Sequence, residues 1–424
     1  MLDERSAIYS CRPHSIMLSD LMGWGWVMSI LPYGPRWKAQ RKLFQQHFHP
    51  SKTATHQPYE QEQVHKLLER LLETPQDFLV HVRHIVGGLA LGITYGRSVK
   101  SHNDPHLRVT EAAINAASYA GTPGAFLVDI FPPLRYLPEW LPGAGFKRKA
   151  RAWKSLMEEM RDRPFHDLEA KLAAGVSPRP SFVSAALGGM DLSQGVSLQR
   201  QVVRDTAGMV FAAAADTTTA SIEYFFLAMI LYPQVQRRAQ QELDRVLQGR
   251  LPDVKDQPDL PYITAIAKEV LRWRPATPIG VPHMSTGDDV FRGYFIPKGT
   301  IIVANAWSML HNEDMYPNPE LFIPERYVKD GAIDPLVLDP ATIAFGFGRR
   351  TCAGSHIAES LLWLTIASVL SMFEISKPLD ENGRPVDVTA EYGSGIIAHS
   401  PPFACTVVPR CTDAKETIKA LQLV

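Results

Sequence analysis

Cysteine is scarce: Cys11, Cys352, Cys405 and Cys411 are the four in 424 residues. They form no CxxC pair and no dense framework, which argues against a structural zinc site or a secreted disulfide scaffold and points to a reducing, intracellular setting. Net charge is missing too, with 44 basic residues balancing 44 acidic ones. That removes the electrostatic footprint of a nucleic-acid binder. The most apolar run, 222–232, is interrupted by Glu223 and is too short for a bilayer, which needs about 20 apolar residues. Asp3, Glu4 and Arg5 stand where a signal peptide would be apolar, so no leader or transmembrane segment is expected. Internal repeats and low-complexity tracts are also lacking. What remains is ordinary globular composition, 45 % hydrophobic and 21 % charged, in a chain long for one core.

Helical periodicity dominates. It predicts helices over 36–48, 60–72, 146–160, 166–174, 197–232, 233–247, 262–273 and 354–372. Strand-like runs are fewer and fall late, at 290–296, 300–305 and 405–408. The expected fold is mostly α with a small β portion. The segment 197–232 would make a helix of about 54 Å, and the all-apolar stretch 209–215 predicts passage through the interior. Asp216-Thr217-Thr218-Thr219 lies at its centre. Taken alone, such threonines bond back to carbonyls of their own helix.

A second feature changes that reading. Phe345-Gly346-Phe347-Gly348-Arg349-Arg350-Thr351-Cys352-Ala353-Gly354 runs into the helix over 354–372. The glycines permit a tight loop and a close approach of a flat group to the backbone. A cysteine just before a helix sits among unpaired N–H groups at the positive end of the dipole, which stabilises a thiolate. Arg350 adds a cation nearby. A dinucleotide loop is excluded because Thr351 takes the third glycine position. The string resembles the cytochrome P450 signature Phe-x-x-Gly-x-Arg-x-Cys-x-Gly, matched at Phe345, Gly348, Arg350, Cys352 and Gly354. By average residue usage such a match arises by chance roughly once in ten thousand chains of this length. The resemblance implies a single P450 domain over 1–424, with haem b held by Cys352 as axial thiolate and Arg350 on a propionate.

Other segments match the family in order. Trp37 and Arg41 fit Trp-x-x-x-Arg, one helix face able to donate to a carboxylate. Glu269 and Arg272 fit Glu-x-x-Arg, and Arg326 in Pro324-Glu325-Arg326-Tyr327 completes a network beneath the haem loop. Ala213-Ala214-Ala215-Asp216-Thr217 fits the oxygen-activation motif, with Ala214 where glycine is commonest, which narrows the groove for oxygen and water. His283, after Pro278-Ile279-Gly280-Val281-Pro282, falls at a propionate position. His81 and His84 lack a third ligand and read as surface residues. The match begins late: residues 1–13 look like the family's second helix, so the anchor, first helix and first strands are expected to be absent and the small sheet to show an open edge.

The implied reaction inserts one atom of O2 into an organic substrate, with electrons from NADPH through cytochrome P450 reductase. Thr217 and Asp216 would relay protons. Arg36, Lys38, Arg41 and Lys42 give a basic face for an acidic partner, while Lys147, Lys149, Arg148 and Arg151 read as a solvated face or a membrane-surface contact. Candidate lining comes from 17–31, 207–213, 279–281 and 394–398, with Ile279, Gly280, Val281, Ile396 and Ile397 foremost. These apolar segments point to a hydrophobic substrate such as a terpenoid or polycyclic compound. The resemblance is to fungal members serving secondary metabolism and detoxification, placed as monomers on the cytoplasmic side of the endoplasmic reticulum. Two alternatives stay open: a truncated haem binder, and a haem-thiolate isomerase or dehydratase that uses no reductase. Asp216-Thr217 argues against the second.

Overall fold

The computed structural model describes residues 1–100, 103–193, 195–393 and 395–421. Its frame is helical: α1 Pro35–Phe48, α2 Gln57–Glu73, α3 Phe78–Tyr95, α4 Pro105–Gly121, α5 Gly145–Ala173, α6 Val196–Leu231, α7 Pro233–Leu247, α8 Pro261–Trp273, α9 Ser355–Met372 and α10 Thr412–Leu421. The long α6 is the axis, packing on α1, α3, α5, α8 and α9. Every side chain from Thr218 to Ile230 is buried, Glu223 included. It stops where Pro233 opens α7, because the residue before a proline is pushed out of the helical region.

Two helices predicted over 146–160 and 166–174 are one. The 29-residue α5 runs through Pro164, which forfeits a backbone hydrogen bond. Met157, Met160, Pro164, Phe165 and Leu168 are all buried there, and that packing outweighs the local break. The stretch of α6 expected to be interior also departs from expectation. Met209 to Ala212 are buried, but Ala213 is exposed and Ala214 to Thr217 are half-buried. Between the buried stretches 205–212 and 218–230, the helix is thus open at the acid-alcohol pair.

The β portion is small, among the described residues four antiparallel pairs: β1 His283–Met284 with β4 Ile301–Ile302, β2 Asp289–Phe291 with β3 Tyr294–Ile296, β5 Val328–Lys329 with β6 Ala332–Ile333, and β7 Phe373–Ser376 with β8 Thr406–Pro409. The single strand predicted over 290–296 is the β2–β3 hairpin. Arg292 and Gly293 both have positive φ, the two-residue turn that matches strand twist. Of the run 300–305 only Ile301 and Ile302 pair, and 405–408 is shifted by one residue. Val290, Tyr294 and Phe295 are exposed on the β2–β3 hairpin, as are Ile301 of β4 and Val303 just beyond it.

His81 and His84 are buried, not surface residues. The Nε2 of His81 lies 2.8 Å from the Thr74 carbonyl, and that of His84 lies 2.6 Å from the Lys100 carbonyl. Among the described residues no group of three or more His, Cys, Asp and Glu could hold a metal ion. Two stretches, Pro75–Tyr95 and Ser355–Met372, are long and apolar enough to cross a bilayer, longer than the run noticed first. Both are mostly buried inside the fold, which is how core helices pass the same test.

Candidate active site

The loop before α9 is fixed by its backbone. Cys352 N–H donates to the Phe345 carbonyl at 2.8 Å, and the Thr351 hydroxyl to Gly348 at 2.8 Å. Gly346 and Gly348 take φ of 77° and 54°, a region where a side chain is strained. At Gly348 a Cβ would also collide with the Leu2 carbonyl. Cys352 is solvent-accessible, although protein atoms crowd around it. Burial pushes its thiol pKa up; the Gly354 N–H and Arg41 pull it down. The cation acting on Cys352 is therefore Arg41 and not the neighbouring Arg350. By contrast, burial alone pushes the Cys405 thiol up to about 12.

Arg350 points away from the cysteine, into the fold. It donates to the carbonyls of Ser10 (2.7 Å), Met28 (3.1 Å) and Leu31 (2.7 Å) and lies over the Trp37 ring at 4.6 Å. Arg41, one turn beyond Trp37 on α1, donates to the Thr351 carbonyl at 2.9 Å. Arg12, which the motifs did not single out, donates to Ser29 (2.9 Å), Val281 (2.5 Å) and Pro282 (2.9 Å). His283 donates from Nδ1 to the Tyr9 carbonyl at 2.7 Å. Arg12 is 5 % exposed and Arg350 9 %, yet among the described residues all their hydrogen-bond partners are neutral carbonyls. Burial, then repulsion from Arg350, pulls the Arg12 pKa down to about 9; burial pulls Arg350 down to about 10. Burial and both cations hold His283 near 4. Two buried guanidiniums without a carboxylate are costly and call for an anion.

Beneath the loop, Arg272 and Glu269 of α8 are fully buried and paired in a two-pronged bridge at 2.8 and 2.9 Å. Arg326 reaches Glu269 Oε2 at 3.2 Å and donates to Pro317. Spacing put Glu269 and Arg272 on one face, and Arg326, given only by the resemblance, lies against the same carboxylate. In α6 the Thr217 hydroxyl donates to the Ala213 carbonyl at 3.0 Å, so the back-bonding does occur. Asp216 accepts from His399 at 3.1 Å, a partner no motif indicated. The sole hint was its position just past Ile396 and Ile397.

Ile279, Gly280 and Val281 are half-buried, as are Ile396 and Ile397. The two segments meet near Ala276, whose carbonyl accepts from Ala398 at 2.9 Å. Ile396 packs on Gly121 of α4, beside Leu18. Ser394, named as lining, lies outside the described residues. The structure thus joins 395–398 to α4 and to Ala276, just before Pro278.

A profile described as cytochrome P450 matches residues 20–406. The chain belongs to the cytochrome P450 family. Similar curated proteins include cytochrome P450 monooxygenase ple1 of Rhodocybe pseudopiperita, 46 % identical over 424 residues, covering 100 % of this chain and 81 % of that one. A cytochrome P450 monooxygenase of Armillaria gallica is 42 % identical over 422 residues, 99 % and 82 % respectively. Tryptamine 4-monooxygenase of Psilocybe cyanescens is 40 % identical over 421, 99 % and 83 %. This P450 is accordingly an oxygen-incorporating oxidoreductase of the haem-thiolate kind. The residues present fit that group. An anionic cofactor would supply the counter-charge that Arg12 and Arg350 lack, and an accessible cysteine stands at the end of the same loop.

Proposed function

We propose that this P450 hydroxylates or otherwise monooxygenates a hydrophobic secondary metabolite or xenobiotic, with Cys352 as the thiolate ligand. The observation that carries the site is the pair of buried, carboxylate-free arginines, Arg12 and Arg350, beside Trp37 and the Cys352 loop. Arg12, Arg350 and Arg41 would hold the propionates by charge and Trp37 by its indole N–H, while His283, whose one N–H as a neutral ring goes to the Tyr9 carbonyl, would orient the chain beside them. When bound, the haem supplies activation of O2, one atom going to substrate and the other to water with two electrons.

The protein's part is positioning and proton handling. The Thr217 hydroxyl spends its proton on Ala213, which leaves its lone pairs free to accept from a water. Asp216, 17 % exposed in the open part of α6, takes the proton side of that relay. Ala214 narrows the same stretch. Asp216 and Glu223 are both already paired, so neither is offered to a substrate ammonium. That supports a neutral, apolar substrate against Ile279–Val281 and Ile396–Ile397.

Electrons would come from NADPH through a reductase docking on the cysteine side. A depression of about 420 Å3 lies there, lined by Tyr33, Lys38, Arg41, Lys42 and Arg349, and its sign suits an acidic flavoprotein domain. The family is typically membrane-associated. Exposed Leu127, Ile130, Phe131, Tyr136 and Trp140 next to Lys147, Arg148 and Lys149 support contact with the cytoplasmic face of the endoplasmic reticulum. The protein would act there as a monomer and one domain. The decisive experiment is the reduced carbon-monoxide difference spectrum. Cys352→Ala should lose the red-shifted Soret band, while Cys11→Ala, Cys405→Ala and Cys411→Ala keep it. Loss of the band in one of those three alone would refute the ligand assignment.

A further inference from the structure

The centre of α6 carries a charge that the mechanism above does not use. Glu223 lies at i+7 from Asp216, on the same helix face, with its side chain 1 % exposed. A carboxylate so deeply buried is strongly disfavoured unless paired. His399 supplies the pair: its Nδ1 stands 2.9 Å from Glu223 Oε2 and its Nε2 3.1 Å from Asp216 Oδ1. Ionised carboxylates only accept, so both ring nitrogens must carry protons to serve both. Behind Glu223, Arg83 of α3 stands at 3.4 Å and reaches Glu111 of α4 at 3.2 Å. The charged groups around the imidazole are thus Asp216 and Glu223 in contact, then Arg83 and Glu111.

Resting on the role given to Asp216 and Thr217, we propose that His399 is a positioning residue for proton delivery, its imidazolium clamping Asp216 to Glu223 beside Thr217. Burial pulls the imidazole pKa down, but the hydrogen bonds to Asp216 and Glu223 outweigh it and raise the value to about 9. Against an ordinary histidine that is a roughly 300-fold preference for the charged ring. The clamp is therefore closed at neutral pH. Once the ring loses a proton, one N–H remains for two carboxylates. It stays on Glu223, the more deeply buried of the two and the costlier to strand, and Asp216 is released.

Two measurements decide the matter. Nitrogen-15 NMR of labelled histidines in the ferrous, carbon-monoxide-bound holoprotein should show one imidazole titrating near 9. Asp216→Asn should lower that value by about one unit or more, since one of its two anionic partners is gone. With the reductase, product per NADPH in the unsubstituted protein should fall as pH passes through that same value. In His399→Gln it should be several-fold lower and flat over the same range, with the carbon-monoxide band and haem content kept. A histidine titrating near 6.5 and indifferent to Asp216→Asn would overturn the clamp, as would His399→Gln coupling like wild type at every pH. Should His399→Gln fail to load haem, Glu223→Gln serves: it must lower the imidazole pKa and keep the Asp216 pairing and the coupling at neutral pH. Lack of the thiolate band in the unsubstituted protein would sink the monooxygenase reading alone, because the titration needs no turnover.

Discussion

Arg272→Ala removes one side chain that the proposed site does not include, and the structure gives its cost. The guanidinium is fully buried and makes four hydrogen bonds: two to Glu269 at 2.8 and 2.9 Å, one to the Leu310 carbonyl at 3.1 Å and one to the Leu321 carbonyl at 3.0 Å. Breaking a buried pair by deleting one partner costs about 3–5 kcal/mol. Here Glu269 keeps Arg326 and accepts the Ile323 N–H at 2.8 Å, so the lower end applies. Two stranded carbonyls add about 1 kcal/mol each, for a total of about 5 kcal/mol. Typical domains have only about 5–15 kcal/mol to lose. The variant should give little haem-loaded protein, and what loads should unfold at clearly lower denaturant. Arg272→Lys keeps the charge without the fork and should fall between. An Arg272→Ala protein with wild-type haem content and an unfolding midpoint shifted by less than about 0.5 kcal/mol, the scale of ordinary surface changes, would refute the reasoning.

Thr217→Ala should leave the carbon-monoxide spectrum and the substrate-induced Soret shift intact while product per NADPH falls and hydrogen peroxide rises; an unchanged ratio would mean that the hydroxyl only bonds back to Ala213. If Ala214 already crowds the water, Ala214→Gly should couple better than the unsubstituted protein, which paired NADPH and product assays would show. Glu60 of α2 is fully buried, accepts from Ser360 at 2.6 Å, and is pushed up to about 7 by burial. Its folded value lies above the ordinary 4.5, so its contribution is full below about pH 4.5 and is lost as pH rises through 7, up to about 3 kcal/mol. Glu60→Gln should therefore raise the melting temperature at pH 8 and change it little at pH 4.5. A variant whose stability falls with pH as steeply as wild type would remove Glu60 as the cause.

Sequence by itself determined what depends on neighbours along the chain. The helices with clean periodicity appear where expected, α6 to within a residue at each end. Trp37 with Arg41 and Glu269 with Arg272 share faces because i, i+4 and i, i+3 spacing fixes that in any helix. The Cys352 loop was legible for the same reason, since its glycines, its cysteine and the start of α9 are contiguous. Tertiary packing decided the rest. It carried α5 through Pro164 by burying both sides of the break, and it buried His81 and His84, which for want of a third ligand read as surface residues. It turned Arg350 from Cys352 toward Ser10, Met28 and Leu31, leaving Arg41 as the cation at the thiol. Arg12 meets residues 269 and 270 positions away, and His399 meets Asp216 across 183. Contacts at such separations leave no periodic trace. Whether a guanidinium or an imidazole there is an idle surface group or a buried charge awaiting a partner depends on which helices close over it.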